Sequence, residues 1–185
     1  MALPRRSLAY ALRATRADAA TYRHWWREPG FVVTLSYRLR RWRKRAPWLL
    51  RLLALPIDAL CGALRRCVSD SHLCWQVEIG PGLYLPHANG LIVNHRARIG
   101  SRVALFQQVT LGEWREGAPR IRRGASLFAG AKAFGDIVIG RNAMIGANAV
   151  VNRDVPADTV VSAAACEHRA KKGEPRRTPI VVMQD

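Results

Sequence analysis

The sequence contains few acidic side chains and no long apolar run. Its 185 residues include 13 Asp and Glu against 30 Lys and Arg, giving a formal net charge of +17, so an acidic partner or surface is expected. The longest apolar candidate, 46–64, is interrupted by Arg51, Pro56 and Asp58, whereas a membrane span needs about 20 mostly apolar residues. We therefore expect a soluble or membrane-surface protein. Apolar residues still make up 49% of the chain, which excludes disorder of the whole chain.

Cysteine is also scarce and carries no site signature. The four cysteines form no CxxC pair and no metal-ligand spacing with histidine: Cys61, Cys67, Cys74 and Cys166. A disulfide framework is unexpected in a chain of this size, so we predict reduced thiols in a reducing compartment, and no metal site. The first ten residues contain two arginines but lack the apolar run of a signal peptide. A cytoplasmic location is therefore expected.

The first 70 residues show apolar side chains at helical spacing, as in Phe31, Leu35 and Leu39 and again in Leu53, Leu60 and Leu64. Prolines at 29, 47 and 56 indicate boundaries, so three or four helices are predicted. This segment carries 15 basic and 4 acidic side chains. The positive charge is therefore concentrated in the N-terminal part.

Beyond residue 70 a period of six replaces the helical pattern. Aliphatic or small side chains recur in three registers: Leu73, Ile79, Leu85, Leu91; then Val93, Ile99, Leu105, Leu111; then Ile121, Leu127, Ala133, Ile139, Ile145, Val151. Glycine follows many of them, where a tight corner needs a residue without Cβ. This spacing is typical of a hexapeptide parallel β-helix, in which each short strand stacks on the one a coil below.

The repeat defines a predicted organisation of 1–70 as a basic helical segment, 71–160 as the β-helix, and 161–185 as a closing segment with a basic tail. Two interruptions separate the registers. One is a two-residue slip before Val93, and the other is an insertion of four residues within 112–120. A regular solenoid has no structural need of these interruptions, so function is expected near them.

The motifs carried by this repeat resemble a known family. The segments GLYLPHANGLIVNHRARIGSRVALFQQVTLG (82–112) and PRIRRGASLFAGAKAFGDIVIGRNAMIGANAVVNRDVP (119–156) resemble the left-handed β-helix acyltransferases. Within them they look most like the serine O-acetyltransferase branch, which includes the small O-acetyltransferases of exopolysaccharide and colanic-acid gene clusters. The resemblance implies an α+β fold, with an N-terminal helical segment followed by a left-handed parallel β-helix. It also implies a homotrimer that binds acetyl-CoA between neighbouring β-helices.

His87 occupies the position of the family's general base, in Leu-Pro-His-Ala-Asn-Gly (85–90). An imidazole is suited to this role because it exchanges protons near neutral pH and can take the proton of a hydroxyl that attacks a thioester. Asn89, in the same motif, is assigned to substrate binding. Gln107 and Gln108, expected beside the acceptor groove, are assigned to the acceptor as well. Trp114, in the inserted loop, is also assigned to the acceptor, with packing against a neighbouring subunit as the alternative.

The cofactor residues follow from a second motif. Ala129, Gly130, Ala131 and Lys132 resemble the family's Gly-Ala-Gly-Ala-Lys, where main-chain amides face the pantetheine and small side chains allow close approach. Simple packing of the coils is the alternative interpretation. Arg169 and Lys171 are predicted to contact phosphate, with a solvated basic tail as the alternative.

Two departures from serine acetyltransferases bear on the acceptor. Pro86 stands where those enzymes have Asp, and Glu116-Gly117-Ala118 stands where they have Asp-Arg-His. The second active-site histidine and the arginine that would meet an amino-acid carboxylate are thus missing. A saccharide hydroxyl in surface-polysaccharide biosynthesis is therefore preferred. Serine O-acetylation for cysteine synthesis is the alternative, and a catalytically inactive β-helix scaffold is the second.

The basic helices suggest a further partner. The run 38–45 carries six cationic side chains and is followed by the apolar Trp48–Leu53, a combination that favours an anionic membrane surface at the inner face of the membrane. The alternative is that Leu and Trp side chains form the helix core and trimer contacts while the arginines are solvated. Nucleic acid is not expected, because no nucleic-acid motif is present and the six-residue repeat would be unexplained.

Overall fold

The computed structural model describes residues 7–163. Its helical part consists of α1 (Leu8–Ala19), α2 (Pro29–Arg45), α3 (Trp48–Leu53) and α4 (Leu55–Val68), with a 3-10 turn at Trp25–Arg27. The Ser7 hydroxyl caps α1 by accepting a hydrogen bond from the Tyr10 N–H at 3.1 Å. Prolines lie in the first turns of α2 and α4, where an N–H is not required. The prediction of three or four helices is confirmed.

Thirteen short strands follow in the described part of the chain: β1 (His72–Leu73), β2 (Glu78–Ile79), β3 (Ile92–Val93), β4 (Arg98–Ile99), β5 (Ala104–Leu105), β6 (Thr110–Gly112), β7 (Arg120–Ile121), β8 (Ser126–Leu127), β9 (Lys132–Phe134), β10 (Val138–Ile139), β11 (Met144–Ile145), β12 (Val150–Val151) and β13 (Val160–Val161). They form three parallel sheets: A (β1-β3-β6-β9-β12), B (β2-β4-β7-β10) and C (β5-β8-β11-β13). The chain visits the sheets in turn, so the predicted left-handed β-helix is confirmed.

The repeat of six directs one aliphatic side chain per strand into a single continuous core, buried in β2 to β12 and partly buried in the end strands β1 and β13. A full coil takes 18 residues from Val93 to Leu111, 20 from Leu73 to Val93 across the slip, and 22 from Leu111 to Ala133 across the insertion. Leu91 lies at a corner of the coil and not on a strand. Close contact between coils explains the recurrent glycine, because a Cβ on Gly140 would lie 2.4 Å from the Ala157 nitrogen.

The helices α1–α4, called the helical cap here, close the N-terminal end of the β-helix. Arg38 donates to the Ile79 and Gly80 carbonyls at 2.8 and 2.6 Å, and Arg41 donates to the Val77 carbonyl at 2.6 Å. The first coil has no coil beneath it, so these side chains supply the partners that a neighbouring strand would otherwise give.

The buried arginines correct an expectation about the basic helices. Arg38, Arg41 and Arg43 are all buried, so for these three both a lipid-headgroup contact and a solvated face are wrong. Arg38 and Arg43 pair with carboxylates inside the protein, whereas Arg41 donates to main-chain carbonyls. Arg38 Nε lies 2.8 Å from Asp18 Oδ2, and Arg43 Nη2 lies 2.7 Å from Asp58 Oδ2.

Asp18 has a second structural task. Its Oδ1 accepts the main-chain N–H groups of Gly82 and Leu83, both at 2.8 Å. It therefore joins α1 to α2 through Arg38 and to the first coil. Across residues 7–163, no helix combines the length and the apolar character needed to cross a bilayer.

Candidate active site

Most of the sequence-predicted site residues lie along one edge of the β-helix, where the chain passes from sheet C to sheet A. We call this the His87 edge. It consists of the stacked corners 86–90, 106–109, 128–131 and 146–149. The slip of the repeat lies at its first corner, so the irregular coil is the one that carries His87.

Main-chain hydrogen bonds hold the corners of this edge in register. Gln108 N–H donates to the Asn89 carbonyl at 2.8 Å, Gly130 N–H to the Gln107 carbonyl at 2.9 Å, and Asn148 N–H to the Ala129 carbonyl at 2.9 Å. Gln107, Gln108 and Ala129 are thereby stacked on the corner that contains His87 and Asn89. The fold brings together His87 and Ala129, which are 42 positions apart in the sequence.

The His87 corner is anchored to the helical cap from both sides. Leu85 N–H donates to the Tyr22 hydroxyl at 3.0 Å, and Gly90 N–H donates to Asp70 Oδ1 at 2.6 Å. The hydroxyls of Ser69 and Ser71 both donate to the Ala88 carbonyl, that of Ser71 at 2.8 Å. Burial raises the pKa of the Tyr22 hydroxyl above its ordinary value, so that hydroxyl stays protonated at neutral pH.

These anchoring residues were missed by sequence reasoning. Ser69, Asp70 and Ser71 follow α4 directly and are typical turn and capping residues. Their residue types indicated the end of a helix, but not that they would hydrogen-bond to the His87 corner. Tyr22 carried no signal, because its partner Leu85 is 63 positions away. The sequence therefore singled out His87 but not the residues that hold its corner in place.

The His87 side chain is exposed, and within residues 7–163 its imidazole has no hydrogen-bond or ion-pair partner. Its own carbonyl accepts the Asn89 N–H at 2.9 Å, which closes the turn. An exposed imidazole on a well-anchored corner is free to meet a hydroxyl brought to this edge.

Gln107 and Ala129 present unused hydrogen-bonding groups one and two coils above His87. The Gln107 Oε1 atom is buried and has no hydrogen-bond partner in the described chain, a state that costs about 1–3 kcal/mol unless a ligand supplies a donor. In the same part of the chain, the main-chain N–H groups of Gln107 and Ala129 also lack partners. The edge can therefore bind a molecule rich in amide and carbonyl groups.

The remaining cofactor residues differ in what they present. Ala131 is fully buried in the core and its N–H is used by the Phe128 carbonyl, so its small size serves packing. Gly130 adopts φ +71°, and a Cβ there would lie 2.1 Å from Asn148 Oδ1. Lys132 Nζ donates to the Gly130 carbonyl at 2.9 Å, so its charge lies beside the edge. Arg169 and Lys171 lie outside the described residues.

Trp114 lies on a different edge, between sheets A and B. The insertion forms a tight turn in which Trp114 and Gly117 exchange main-chain hydrogen bonds of 3.0 and 3.1 Å. The tryptophan is half exposed, and the central carbon of the Arg115 guanidinium lies 4.6 Å from the centroid of its ring. Within one chain, Trp114 and His87 therefore flank opposite sides of sheet A.

A cavity of about 570 Å³ lies beneath this turn. It does not include His87, and three of its charged side chains, Arg96, Arg120 and Asp136, are in ion pairs. Arg96 Nη1 lies 2.7 Å from Glu113 Oε1, and Arg120 Nη2 lies 2.6 Å from Asp136 Oδ1. His95 is exposed at the margin of the cavity. The volume is within the range that small-molecule ligands occupy.

The floor of this cavity leaves little room for larger side chains in the turn. Ala118 is buried, and a Cβ on Gly117 would lie 2.4 Å from the Asp136 Cβ. The arginine that the resemblance places at position 117 would not fit here without rearrangement.

The side chains of residues 7–163 contain no cluster of three His, Cys, Asp or Glu residues that could hold a metal ion.

Comparison with known proteins identifies similar chains. No protein-family model matches the chain. It is 32% identical over 139 residues to the serine acetyltransferase of Synechococcus elongatus, a match covering 72% of this chain and 54% of that protein. A solved serine acetyltransferase in complex with cysteine superposes with a TM-score of 0.69 at 26% identity, covering 85% of this chain and 69% of the other. A second, in complex with CoA, gives 0.64 at 25% identity, covering 84% and 68%.

These similarities support a hexapeptide-repeat acyltransferase fold of the serine acetyltransferase type, and they do not single out the exopolysaccharide branch. The matches cover 54% of the Synechococcus relative and 33% of a second curated relative, from Escherichia coli, so the chain spans only part of their length.

Proposed function

We propose that this hexapeptide-repeat chain is an O-acetyltransferase that uses acetyl-CoA as co-substrate and His87 as general base. The observation that carries the proposal is the His87 edge, which aligns a free imidazole with unused amide groups and a buried, unpartnered Gln107 Oε1. The similarity to a serine acetyltransferase solved with CoA supports the co-substrate. Acetyl-CoA also makes a cytoplasmic location the natural expectation.

The chemistry follows from these groups. His87 takes the proton of the acceptor hydroxyl as its oxygen attacks the thioester carbonyl carbon. The carbonyl oxygen becomes an oxyanion, and a main-chain N–H of Gln107 or Ala129 stabilises it. The C–S bond then breaks, the acetyl group stays on the acceptor oxygen, and the CoA sulfur takes the proton back from the imidazolium. No covalent enzyme intermediate is needed.

Replacement of His87 tests the base. We expect His87→Ala to lower the rate of CoA thiol release by about 10²–10⁴-fold, with acetyl-CoA binding by calorimetry retained. The matched control is His24→Ala, an exposed histidine of the helical cap, which should leave the rate unchanged. A His87→Ala protein within a few-fold of the parent would contradict the assignment.

The acceptor has two candidates. The names of the relatives support serine, and on this ground serine is the better supported of the two. A saccharide hydroxyl is favoured by the turn after β6, where Glu116-Gly117-Ala118 supplies neither the arginine nor the second histidine expected for an amino-acid acceptor. The 570 Å³ cavity below it is also large for an acceptor of serine's size.

An acceptor panel separates these candidates. Purified protein is incubated with acetyl-CoA and L-serine, or with nucleotide-linked and lipid-linked sugars, and free CoA thiol is measured. Release with serine supports cysteine synthesis and shows that the missing histidine is dispensable. Release only with sugars supports surface-polysaccharide synthesis. No release and no acetyl-CoA binding would favour the inactive scaffold.

A homotrimer is part of the proposal. Sheet A carries exposed apolar residues, Ile92 and Val150, at 54% and 65% exposure, and it lies between the His87 edge and the Trp114 turn. Three chains with sheet A facing a common axis would bring the turn of one chain to the His87 edge of the next. We expect a solution mass of three times the 20.7 kDa chain by light scattering.

Mixed assembly sharpens this test. Chains carrying His87→Ala and chains lacking the turn 113–117 should each be inactive alone. Co-refolded mixtures should recover activity, because some interfaces then combine an intact His87 with an intact turn. A monomeric active protein would refute the shared site.

A further inference from the structure

The outer surface of α3 and α4 is apolar and uncovered by any other part of the described chain. It is formed by Trp48, Leu49, Leu52, Leu53, Ile57, Leu60, Leu64 and Val68, called the hairpin face here. Trp48 is 77% exposed and Leu60 60% exposed. None of the residues of α3 is buried. A contiguous apolar surface of this kind marks an interaction site.

The orientation of α4 is the reverse of that of an ordinary surface helix. Its inner side carries Asp58 and Gly62, which face α2, where Asp58 accepts hydrogen bonds from Arg40 and Arg43 at 3.2 and 2.8 Å. Ile57, Leu60, Leu64 and Val68, spaced three and four residues apart, lie on the opposite side. The helix thus directs its polar side into the protein and its apolar side outward.

Cationic side chains border the hairpin face. Lys44, Arg45, Arg51, Arg65 and Arg66 all lie in or beside α3 and α4, and the only acidic residue between positions 29 and 69 is the buried, paired Asp58. Burial together with the neighbouring Arg40 and Arg66 lowers the pKa of Arg65 below its ordinary value. An apolar surface with a clear excess of cationic over acidic side chains around it is complementary to anionic phospholipid.

We propose that the hairpin face docks on an anionic membrane surface, with its Leu and Trp side chains among the upper acyl chains and its arginines at the phosphates. Since α4 leads directly into Ser69 and Ser71, which contact the His87 corner, docking holds that corner close to the bilayer. The proposal does not depend on the identity of the acceptor.

A second copy of the chain fits this face less well. Two hairpin faces brought together would oppose like charges with no exposed acidic side chain between positions 29 and 69 to pair them, whereas an anionic bilayer neutralises them. Shielding by salt should therefore weaken docking, because the attraction acts over roughly a Debye length of about 8–10 Å.

Vesicle co-sedimentation tests the proposal with the full chain. Vesicles of phosphatidylcholine alone are compared with vesicles containing phosphatidylglycerol, over a salt series. We expect strong binding to the anionic vesicles at low salt, little to the neutral ones, and a decline as salt rises. Absence of binding to anionic vesicles at low salt, or equal binding to both, would overturn the proposal.

Two sets of variants localise the surface. The double variant Leu60→Gln/Leu64→Gln should lower vesicle partitioning by roughly tenfold or more, while Met144→Gln/Val160→Gln, exposed residues of sheet C, should leave it unchanged. Arg51→Gln should lower it about fivefold, and Arg141→Gln, on a distant corner, should have no such effect. Circular dichroism confirms that each variant is folded.

Light scattering of the same proteins separates lipid from protein partners. The hairpin variants should keep the parent's mass in solution while losing vesicle binding. If instead the double variant lowered the solution mass and bound vesicles as the parent does, the face would be a contact between copies and the membrane proposal would be wrong.

Discussion

The β-helix and the helical cap bury opposite kinds of side chain. In the β-helix, Leu85, Leu105 and Leu127 point inward and arginines such as Arg98 point outward. In the cap, Arg38 and Arg41 are buried while Leu60 is exposed. The same residue types thus take reversed positions within one chain.

The difference arises from what each region must cover. Inside the β-helix every coil hydrogen-bonds to the coils above and below, so only side-chain volume remains to be filled, and aliphatic residues fill it. The first coil has an open edge of carbonyl and amide groups, and the cap must hydrogen-bond to it. Arginine suits this task because its guanidinium offers five donors in a fixed fork, as Arg41 shows by reaching the carbonyls of Trp75, Gln76 and Val77.

The largest loss of stability is expected when Asp18, the buried carboxylate partner of Arg38, is removed from the helical cap. Asp18→Ala leaves the Arg38 guanidinium buried without its carboxylate and also orphans the Gly82 and Leu83 amides. We expect the free energy of unfolding to fall by about 3–5 kcal/mol, measured by urea denaturation.

The matched control for Asp18→Ala is Asp136→Ala. Its carboxylate lies 2.6 Å from Arg120, but both side chains are exposed, so a loss of about 0–1 kcal/mol is expected. Equal losses for the two variants would show that the cap does not rely on its buried pair.

The same substitution in the two regions sharpens the comparison. Leu105→Ala opens a cavity in the β-helix core and should cost about 2–5 kcal/mol, whereas Leu60→Ala on the hairpin face should change stability by about 0.5 kcal/mol or less. Denaturation midpoints of the two proteins, at equal m-values, provide the measurement. A large loss at Leu60 would mean that this face is covered in the folded protein.

A smaller loss of stability than at Asp18 or Leu105 is expected at the junction of the two regions. Ser71→Ala removes the hydroxyl that donates to the Ala88 carbonyl and accepts from the Leu91 N–H, which should cost about 1 kcal/mol of stability. Because Ser71 positions the His87 corner, the proposed acetyl transfer should lose kcat with little change in the KM for acetyl-CoA. Ser101→Ala, at a corner between sheets B and C, serves as control, and an identical kinetic effect there would argue against positioning.

The β-helix could be read from the sequence because its side-chain directions follow from spacing alone. Each aliphatic residue at a period of six faces the core whatever its distant partners are, so Ile79, Ile99 and Ile121 predicted three stacked coils correctly. The slip and the insertion were also visible as breaks in that spacing.

The orientation of the cap helices could not be predicted from the sequence in the same way. Helical spacing showed that Leu60 and Leu64 share a face, but which face turns inward depends on the open edge of a coil that is distant in sequence. The anchors of His87 were hidden for the same reason, since Tyr22 meets Leu85 only through tertiary packing. The spacing of residues along a helix predicts which side chains share a face, whereas hydrogen bonds to residues distant in sequence decide which face turns toward the protein.

The hydrogen bonds from the cap to the first coil also guard against polymerisation. A fragment consisting of residues 71–163 would present an unpaired parallel strand edge at each end of its β-helix, both with the same strand spacing. The bottom of one fragment could then stack on the top of the next, a head-to-tail contact that never closes and builds fibres. The arginines and tyrosines of the cap occupy one of these edges, and in doing so they terminate the stack at a single chain.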